Sequence, residues 1–342
     1  MPHDRPIIIA TRGSALALAQ ANAVFTQCRK AFPKLQFEIK VIKTTGDKLQ
    51  SASLANPDAS LPKGLFTKEL EVALLENHAD LAVHSLKDLP VDLPAGLALG
   101  AVCKRADVRD VLIYRDAELV RAQIAAAPLV DWTPGQSERR GFKPNMEVKD
   151  FPAGAVVATS STRRKAQLLA LRPDMKVIEL RGNVPTRLQK LSAGPEMDAI
   201  LLAAAGLERL KFIIFPDGSL RGDGVPEGLR TIRLEPEQML PAVGQGAVGI
   251  EVRSGDERVA QILKELNHFN THHAVLAERA FLRGMGGGCA TPVGAYAEVL
   301  GHAVRMRAVS FVGGVVKRGE AKRPVKEAEA LGDQLAAELS GK

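Results

Sequence analysis

Length, composition and charge place the chain among globular proteins and weigh against some functions. It has 342 residues, more than one hydrophobic core usually organises, with 46% hydrophobic and 25% charged residues. Aromatic residues are only 4%, which disfavours a single-strand nucleic-acid binder, because such proteins stack bases on aromatic rings. The net charge of +7 favours an anionic partner, so the positions of the arginines become informative.

The apolar segments and the cysteines bear on location. No apolar run has the length of a signal-peptide core or a bilayer span, so we expect a cytoplasmic protein with no membrane contact. Cys28, Cys103 and Cys289 are far apart and show no paired spacing, so we expect no metal site and a reducing compartment. Cys28 and Cys103 fit buried packing positions.

The first part of the chain alternates strand-like and helix-like segments. In chain order we predict a strand over 7–10, a helix over about 15–29, a strand over 37–42, an amphipathic helix over 66–74 and a strand over 81–83. Ser14 directly precedes the first helix and is predicted to cap it.

The alternation resumes in the middle of the chain. There we predict strands over 156–159, 177–180 and 199–202, and helices over about 162–171 and 185–191. Two such blocks indicate two α/β domains with mostly parallel sheets. The stretch of about 117–151 breaks the pattern and is interpreted as a surface insertion, either a lid or an inert excursion. The tail after about residue 268 suits a smaller α+β domain.

Arginines recur at one kind of position, after a strand and at the start of a helix. Arg12 follows the first strand, Arg163 and Arg164 follow Thr159-Ser160-Ser161, and Arg181 opens the segment that ends at Arg187. Ligands of open α/β sheets bind beyond the carboxyl ends of strands, and arginine forks fit carboxylates. Phosphate is a rival ligand, but no nucleotide-binding glycine loop is present. The pattern predicts a ligand with several acid groups.

Two further side chains are candidates for chemistry. Asp88 lies in a loop directly after a strand, a frequent place for catalytic groups, although such a residue also forms turns. His84 is interpreted as structural, because no Ser/His/Asp pattern accompanies it. Cys289 follows three glycines, which would let a bulky group approach its sulfur. No base that would activate this thiol is evident nearby in the sequence.

At this point the ordered motifs resemble the porphobilinogen deaminase family over nearly the whole chain. The matching segments are residues 10–14, 45–47, 63–66, 84–90, 159–164, 180–187, 240–247 and 287–289. Two rival functions remain open on the residues alone. A two-lobed solute-binding protein would leave Asp88 and Cys289 unexplained, and a nucleic-acid binder predicts a continuous basic stripe.

The resemblance implies a fold and a reaction. It implies two α/β domains like those of periplasmic binding proteins, with the active site in the cleft between them, and a smaller α+β C-terminal domain. Domain 1 would comprise residues 1–106 and 243–265, domain 2 residues 107–242, and domain 3 residues 266–342. Four porphobilinogen molecules would condense head to tail, with loss of ammonia, on a dipyrromethane cofactor joined to Cys289 by a thioether. Hydrolysis would release hydroxymethylbilane. The family suggests a monomer that binds no nucleic acid.

The resemblance also assigns site residues. Asp88 would be catalytic, hydrogen-bonding pyrrole N–H groups, stabilising positive charge and relaying protons. Phe66 would pack on the pyrrole rings. The remaining residues expected to bind cofactor or substrate are Arg12, Ser14, Lys63, Ser85, Lys87, Thr159, Ser160, Ser161, Arg163, Arg164, Arg181, Gly182, Asn183, Arg187, Arg209 and Gln245.

Overall fold

The computed structural model describes residues 5–48, 66–126, 139–288 and 290–341. The strands are β1 (Ile7–Arg12), β2 (Phe37–Ile42), β3 (Leu81–Ser85), β4 (Leu97–Val102), β5 (Asp110–Arg115), β6 (Val156–Ala158), β7 (Lys176–Ile178), β8 (Ala199–Ala203), β9 (Ile213–Ile214), β10 (Leu220–Arg221), β11 (Leu229–Leu234), β12 (Val248–Arg253), β13 (Val293–Leu300), β14 (Ala303–Ser310) and β15 (Lys317–Pro324).

The helices begin and end close to the predicted positions where their periodicity is strong. They are α1 (Ala15–Ala31), α2 (Thr45–Lys48), α3 (Lys68–Leu75), α4 (Ala117–Ala126), α5 (Thr162–Leu171), α6 (Val184–Ala193), α7 (Ala204–Arg209), α8 (Ala260–Leu266), α9 (Phe269–Gly284) and α10 (Ala328–Ser340). Within the described part of the chain, none of these helices combines the length and the apolar character needed to cross a membrane.

The chain divides into two compact units. The first contains Met1–Asp107 together with Leu240–Lys342, and the second contains Val108–Met239. Each unit holds a five-stranded mixed sheet, and the first unit also holds a three-stranded antiparallel sheet. The chain is therefore an α/β protein with a smaller C-terminal α+β part, as predicted. The further division of the first unit into domain 1 and domain 3 stays a prediction.

The five-stranded sheet of the first unit has the order β2-β1-β3-β12-β4. The β1 strand runs parallel to β2 and β3, whereas β12 runs antiparallel to both β3 and β4. Helix α1 covers one face with Ala17, Ala21, Val24 and Cys28, all buried. Ser14 caps this helix by accepting a hydrogen bond from the Ala17 amide at 3.3 Å, which confirms the predicted cap.

The second unit repeats this arrangement with the order β7-β6-β8-β5-β11. Strand β6 is parallel to β7 and β8, and β5 is antiparallel to β8 and β11. The antiparallel strands β12 and β5 were not predicted. Their residues are nearly all buried, so these strands show no alternation of apolar and polar residues that could reveal them.

The C-terminal part of the first unit packs α9 and α10 on the sheet β13-β14-β15. Gly332 of α10 allows a close approach between the two helices. A Cβ at this position would lie 2.1 Å from the Ala277 carbonyl oxygen and 2.7 Å from the Phe281 amide nitrogen. The C-terminal layer therefore depends on a glycine in the middle of a helix.

The stretch predicted as a surface insertion contributes partly to the core. Phe142, Met146, Val148 and Phe151 are buried or packed against buried residues, and the Phe142 and Phe151 rings contact Tyr114. The spacing of these apolar residues is irregular and fits neither a helix nor a strand period, so their burial was not evident from the sequence. This part of the stretch is core, which corrects the prediction of a surface excursion.

Candidate active site

A small cavity lies in the first unit where strands β1 and β3 end. It has a volume of about 60 Å³. Five of the predicted site residues line it, namely Arg12, Ser14, Phe66, Ser85 and Asp88. The carboxyl ends of the parallel strands β1 and β3 bring these residues together from three separate motifs. The structure thus joins a cation, two hydroxyls, an aromatic ring and a carboxylate in one cavity.

The cationic and aromatic walls of this cavity touch. The Arg12 guanidinium carbon lies 4.3 Å from the centre of the Phe66 ring, a cation–π contact. The Ser14 hydroxyl already accepts the Ala17 amide, so its proton remains available as a donor. This side of the cavity can bind the acid group and the flat ring of a pyrrole ligand.

Gln20 is a cavity residue that the sequence analysis missed. Its amide nitrogen donates to the Ser85 hydroxyl oxygen at 2.9 Å, and its amide oxygen lies 3.2 Å from the same oxygen. Gln20 is buried on the face of α1 that otherwise presents Ala17, Ala21 and Val24 to the core. A polar residue on an apolar helix face was the signal that could have found it.

Asp88 lies in a short 3₁₀ turn, Leu86–Asp88, that directly follows β3. Buried Leu86 and Leu89 anchor the turn on either side of the exposed Asp88 side chain. From α9, Arg279 donates to the carbonyl oxygens of Leu89, Pro90 and Val91 at 3.2, 2.7 and 3.1 Å. Burial lowers the pKa of Arg279 to about 10, so it stays charged at neutral pH. The carboxylate is therefore held on a turn that is anchored from both sides.

His84 lines the cavity, and further buried ionisable groups lie next to its lining residues. The His84 Nε2 atom lies 3.0 Å from a carboxylate oxygen of Glu251, and both side chains are buried. The Thr67 hydroxyl donates to Glu71 at 2.6 Å. Burial and the nearby Glu251 carboxylate raise the pKa of Glu71. They outweigh the hydrogen bond from Thr67, which lowers it. His84 thus lies in a buried contact with a carboxylate, which agrees with its interpretation as structural.

The predicted residues of the second unit lie at the amino ends of α5 and α6. Arg163 and Arg164 are only 4% and 6% exposed, and both donate to the carboxylate of Asp110. Ser161 caps α5 by accepting the Arg164 amide at 3.4 Å, and the Ser160 hydroxyl donates to the Leu180 carbonyl at 2.7 Å. These side chains build the strand ends of this sheet.

The next motif forms the start of α6. Asn183 caps this helix by accepting the Thr186 amide at 2.9 Å. Arg187 donates to the carbonyl oxygen of Gly182 at 2.8 Å, and Arg181 pairs with a neighbouring carboxylate, Glu179, at 2.6 Å. Gly182 has φ +113°, so a side chain there would be strained. The backbone turn that presents Arg181 therefore requires glycine.

The other predicted residues are spread over both units. Thr159 accepts the Ser161 amide at 3.2 Å, Arg209 ends α7, and Lys87 lies in the turn beside Asp88. Gln245 is buried in a turn where its carbonyl accepts from Arg105 at 2.8 Å, and it does not line the cavity described above. Lys63 and Cys289 lie outside the described residues.

The glycines before Cys289 are described and leave open space. Gly286, Gly287 and Gly288 all have positive φ, at 100°, 65° and 99°. A Cβ on Gly286 or Gly288 would meet no atom within 4 Å. This open space leaves room for a bulky group carried by the next residue. The cavity adds donors for acid groups and an aromatic ring, so the residues fit a tethered pyrrole cofactor.

The comparisons with known proteins agree with this chemistry. Residues 7–261 match the family model described as porphobilinogen deaminase, dipyromethane cofactor binding domain. Residues 272–341 match the model of the porphobilinogen deaminase C-terminal domain. Porphobilinogen deaminase of Carboxydothermus hydrogenoformans is 40% identical over 337 residues, which cover 98% of this chain and 94% of that protein.

A second relative and a solved structure were also similar. Porphobilinogen deaminase of Desulforudis audaxviator is 43% identical, again over 98% of this chain and 94% of that protein. The periplasmic aliphatic sulphonate binding protein SsuA from Escherichia coli is 11% identical, with a TM-score of 0.37 over 84% of this chain and 71% of that chain. By its matched family models and its relatives, the chain belongs to the porphobilinogen deaminase family.

Proposed function

We propose that Asp88 is the catalytic group of the deaminase reaction and that the surrounding cavity residues hold the pyrrole ligands. The family's reaction condenses four porphobilinogen molecules head to tail, losing ammonia at each step, and then releases hydroxymethylbilane by hydrolysis. The observation that carries the proposal is the single cavity that joins Asp88 with Arg12, Phe66 and Ser85.

Asp88 suits the charge changes of this reaction. The leaving amine must be protonated, and the carbon it leaves becomes electron-poor, so positive charge develops on the pyrrole. A carboxylate on an anchored turn accepts a hydrogen bond from a pyrrole N–H and stabilises that charge without moving. The same carboxylate can act as a base and take up the proton that the attacking pyrrole loses. Proton transfer to or from a positioned side chain contributes about 10²- to 10⁴-fold.

The other cavity residues bind and orient. Each pyrrole carries an acetate and a propionate, and the Arg12 guanidinium with the Ser14 and Ser85 hydroxyls offers donors for such groups. Phe66 offers a ring face on which a pyrrole can pack, and the Arg12 guanidinium lies over the same ring at 4.3 Å. In the second unit, Arg163, Arg164 and the arginines around α6 are proposed to hold further acid groups.

The dipyrromethane cofactor supplies the primer on which the pyrrole chain is built. We propose Cys289 as its attachment point, supported by the open space at the glycines directly before it.

The two matched family models meet between residues 261 and 272, which supports the proposed separate domain from residue 266 onward. Three cysteines without paired spacing support the proposal of a cytoplasmic enzyme. A monomer is proposed from the family, and light scattering of the holoenzyme tests it.

Replacing Asp88 tests the proposed function. We expect Asp88→Ala to retain the attached cofactor but to lower the single-turnover rate of ammonia release at least about 100-fold. Intact mass of the denatured protein, measured beside a Cys289→Ser variant, reports the attachment. Asp92→Ala is the matched control, because this carboxylate lies on the same loop, is highly exposed and pairs at 3.3 Å with Arg283.

Two results would contradict the proposal. A near-normal single-turnover rate in Asp88→Ala would remove Asp88 from the mechanism. An equal loss of activity in Asp92→Ala would mean that any change in this loop impairs the enzyme, and that the carboxylate of Asp88 has no special role.

A further inference from the structure

Asp110 forms a buried cluster with Arg163 and Arg164 that we call the Asp110 cluster. One Asp110 oxygen accepts from Arg163 Nη1 at 2.7 Å. The other accepts from Arg164 Nε at 3.0 Å and from Arg164 Nη2 at 2.7 Å. Asp110 is 0% exposed, and the two arginines are less than one-tenth exposed. The carboxylate is thus shared between two guanidiniums in the interior of the second unit.

The cluster buries more positive than negative charge. Among these three side chains, one negative charge faces two positive charges, and all three are removed from water. Arg163 and Arg164 also lie in the first turn of α5, where the helix dipole disfavours positive charge. Ionisable groups that are buried beside a specific charge partner are enriched at functional sites.

We infer that Asp110 is a positioning residue that orients Arg163 and Arg164 and weakens their hold on external carboxylates. The inference rests on the proposed function, in which these arginines hold acid groups of the pyrrole chain. A ligand carboxylate that approaches the pair must share its donors with Asp110 and meets the repulsion of a like charge. Asp110 therefore limits affinity at this position while keeping both guanidinium forks aligned.

A reason for such a limit follows from the reaction. Each condensation adds two acid groups to the bound chain, so the attraction between enzyme and chain grows as the chain lengthens. The chain must nevertheless advance past fixed arginines at every step, and the product must leave. When a ligand acid group dissociates, the Asp110 carboxylate again accepts the hydrogen bonds of both guanidiniums. The ligand acid group can therefore bind and dissociate quickly.

Asp110→Asn tests this inference on the holoenzyme, with citrate as the probe carboxylate. We expect citrate to bind about tenfold more tightly, as measured by calorimetry. We also expect kcat and KM to fall together, because the chain is held more firmly and released more slowly. Asp110→Glu retains the charge and should return citrate affinity towards that of the unmodified enzyme.

Asp198→Asn is the matched control. Asp198 is a buried carboxylate of the same unit that accepts from Arg140 Nε at 2.9 Å and from the Val156 amide at 2.8 Å. Its replacement removes an acid–arginine pair away from α5 in which the carboxylate is buried and the arginine is about half exposed. We expect Asp198→Asn to lower the melting temperature without changing citrate affinity. If Asp110→Asn acted only through a general loss of packing, it would show this same result.

The outcomes separate this inference from the proposed function. Arg163→Gln should weaken citrate binding, and no effect would remove the arginine from ligand binding and so contradict the proposed function. If Arg163→Gln weakens citrate but Asp110→Asn leaves its affinity unchanged, only the inference fails. If neither Asp110→Asn nor Asp110→Ser folds, the inference is also overturned, because Asp110 then serves the fold rather than the tuning of affinity.

Discussion

Ser14 combines two roles in one side chain. Its hydroxyl caps α1 by accepting the Ala17 amide, and the same hydroxyl lines the cavity next to Arg12. Ala removes the cap, whereas Gly is nearly as good a capping residue as serine. The pair Ser14→Ala and Ser14→Gly can therefore separate stability from ligand binding.

We expect Ser14→Ala to lower the free energy of unfolding by about 1 kcal/mol, and Ser14→Gly by only a few tenths of this amount. Both variants lose the hydroxyl, so both should raise the KM for porphobilinogen by a similar factor. Urea denaturation and steady-state kinetics measure the two effects. An unchanged KM in Ser14→Gly would limit this residue to capping.

Single residues were predictable where their role is set by near neighbours in the chain. Ser14 could be predicted as a cap because it directly precedes an Ala/Leu-rich helix. Gln20 and Asp110 could not, because their partners Ser85 and Arg164 lie far along the chain. Burial of a polar group becomes informative only when the group that satisfies it is known.

At the scale of elements, the turn that carries Asp88 depends on a helix far along the chain. Arg279 of α9 donates to three consecutive carbonyl oxygens directly after the turn. Lysine retains the charge but cannot present the planar fork that reaches several acceptors at once. The position of the Asp88 carboxylate is thus coupled to α9.

Replacing Arg279 should therefore affect turnover more than binding. We expect Arg279→Lys to lower kcat on the order of 10²-fold, because a misplacement of about 1 Å at the reacting groups has an effect of this size. The KM for porphobilinogen should change much less. Arg283→Lys is the control, since Arg283 lies one turn further along α9 and is about half exposed. Equal effects of both variants would contradict the specific role of Arg279.

The elements themselves were predicted unevenly. The helices α1, α5 and α6 were expected within a few residues, because each has a side-chain cap and a regular apolar face. Strands β5 and β12 were missed, although they complete the two large sheets. A strand that is buried on both faces shows no alternation, and its partners are selected by packing in three dimensions.

At the scale of the whole molecule, the two units should respond differently to acid. Burial alone would raise the pKa of Asp110, but the charges of Arg163 and Arg164 outweigh it and lower the pKa. The pKa of Asp116 is also lowered, chiefly because hydrogen bonds from Arg230 and backbone amides outweigh its burial. A lowered pKa contributes stability above the ordinary aspartate value, and this stability is lost as the pH falls through the folded-state pKa.

The first unit contains a carboxylate whose pKa is shifted in the opposite direction. The pKa of Glu71 is raised mainly by burial, so its contribution is present in acid and is lost as the pH rises through its folded-state pKa. We therefore expect amides of residues 108–239 to lose protection before those of the first unit as the pH falls below about 3.9. The difference should be at least about tenfold, the effect of one pKa unit.

Hydrogen exchange at pH 5 and pH 3, corrected for intrinsic exchange rates, measures this order. The variant Asp110→Asn, which cannot titrate at this position, should show a smaller change between the two pH values in the second unit. Earlier loss of protection in the first unit would contradict the prediction.

The sequence by itself determined the α/β class, the capped helices, the anionic ligand and the family. These properties rest on local periodicity, on caps next to their helices and on ordered motifs along the chain, all of which can be read linearly. Only the tertiary structure decided that β12 lies between β3 and β4, that Gln20 meets Ser85, and that Asp110 holds the arginines of α5. The physical reason is that burial and ion pairing join residues distant in sequence, and their partners are chosen by the packed fold.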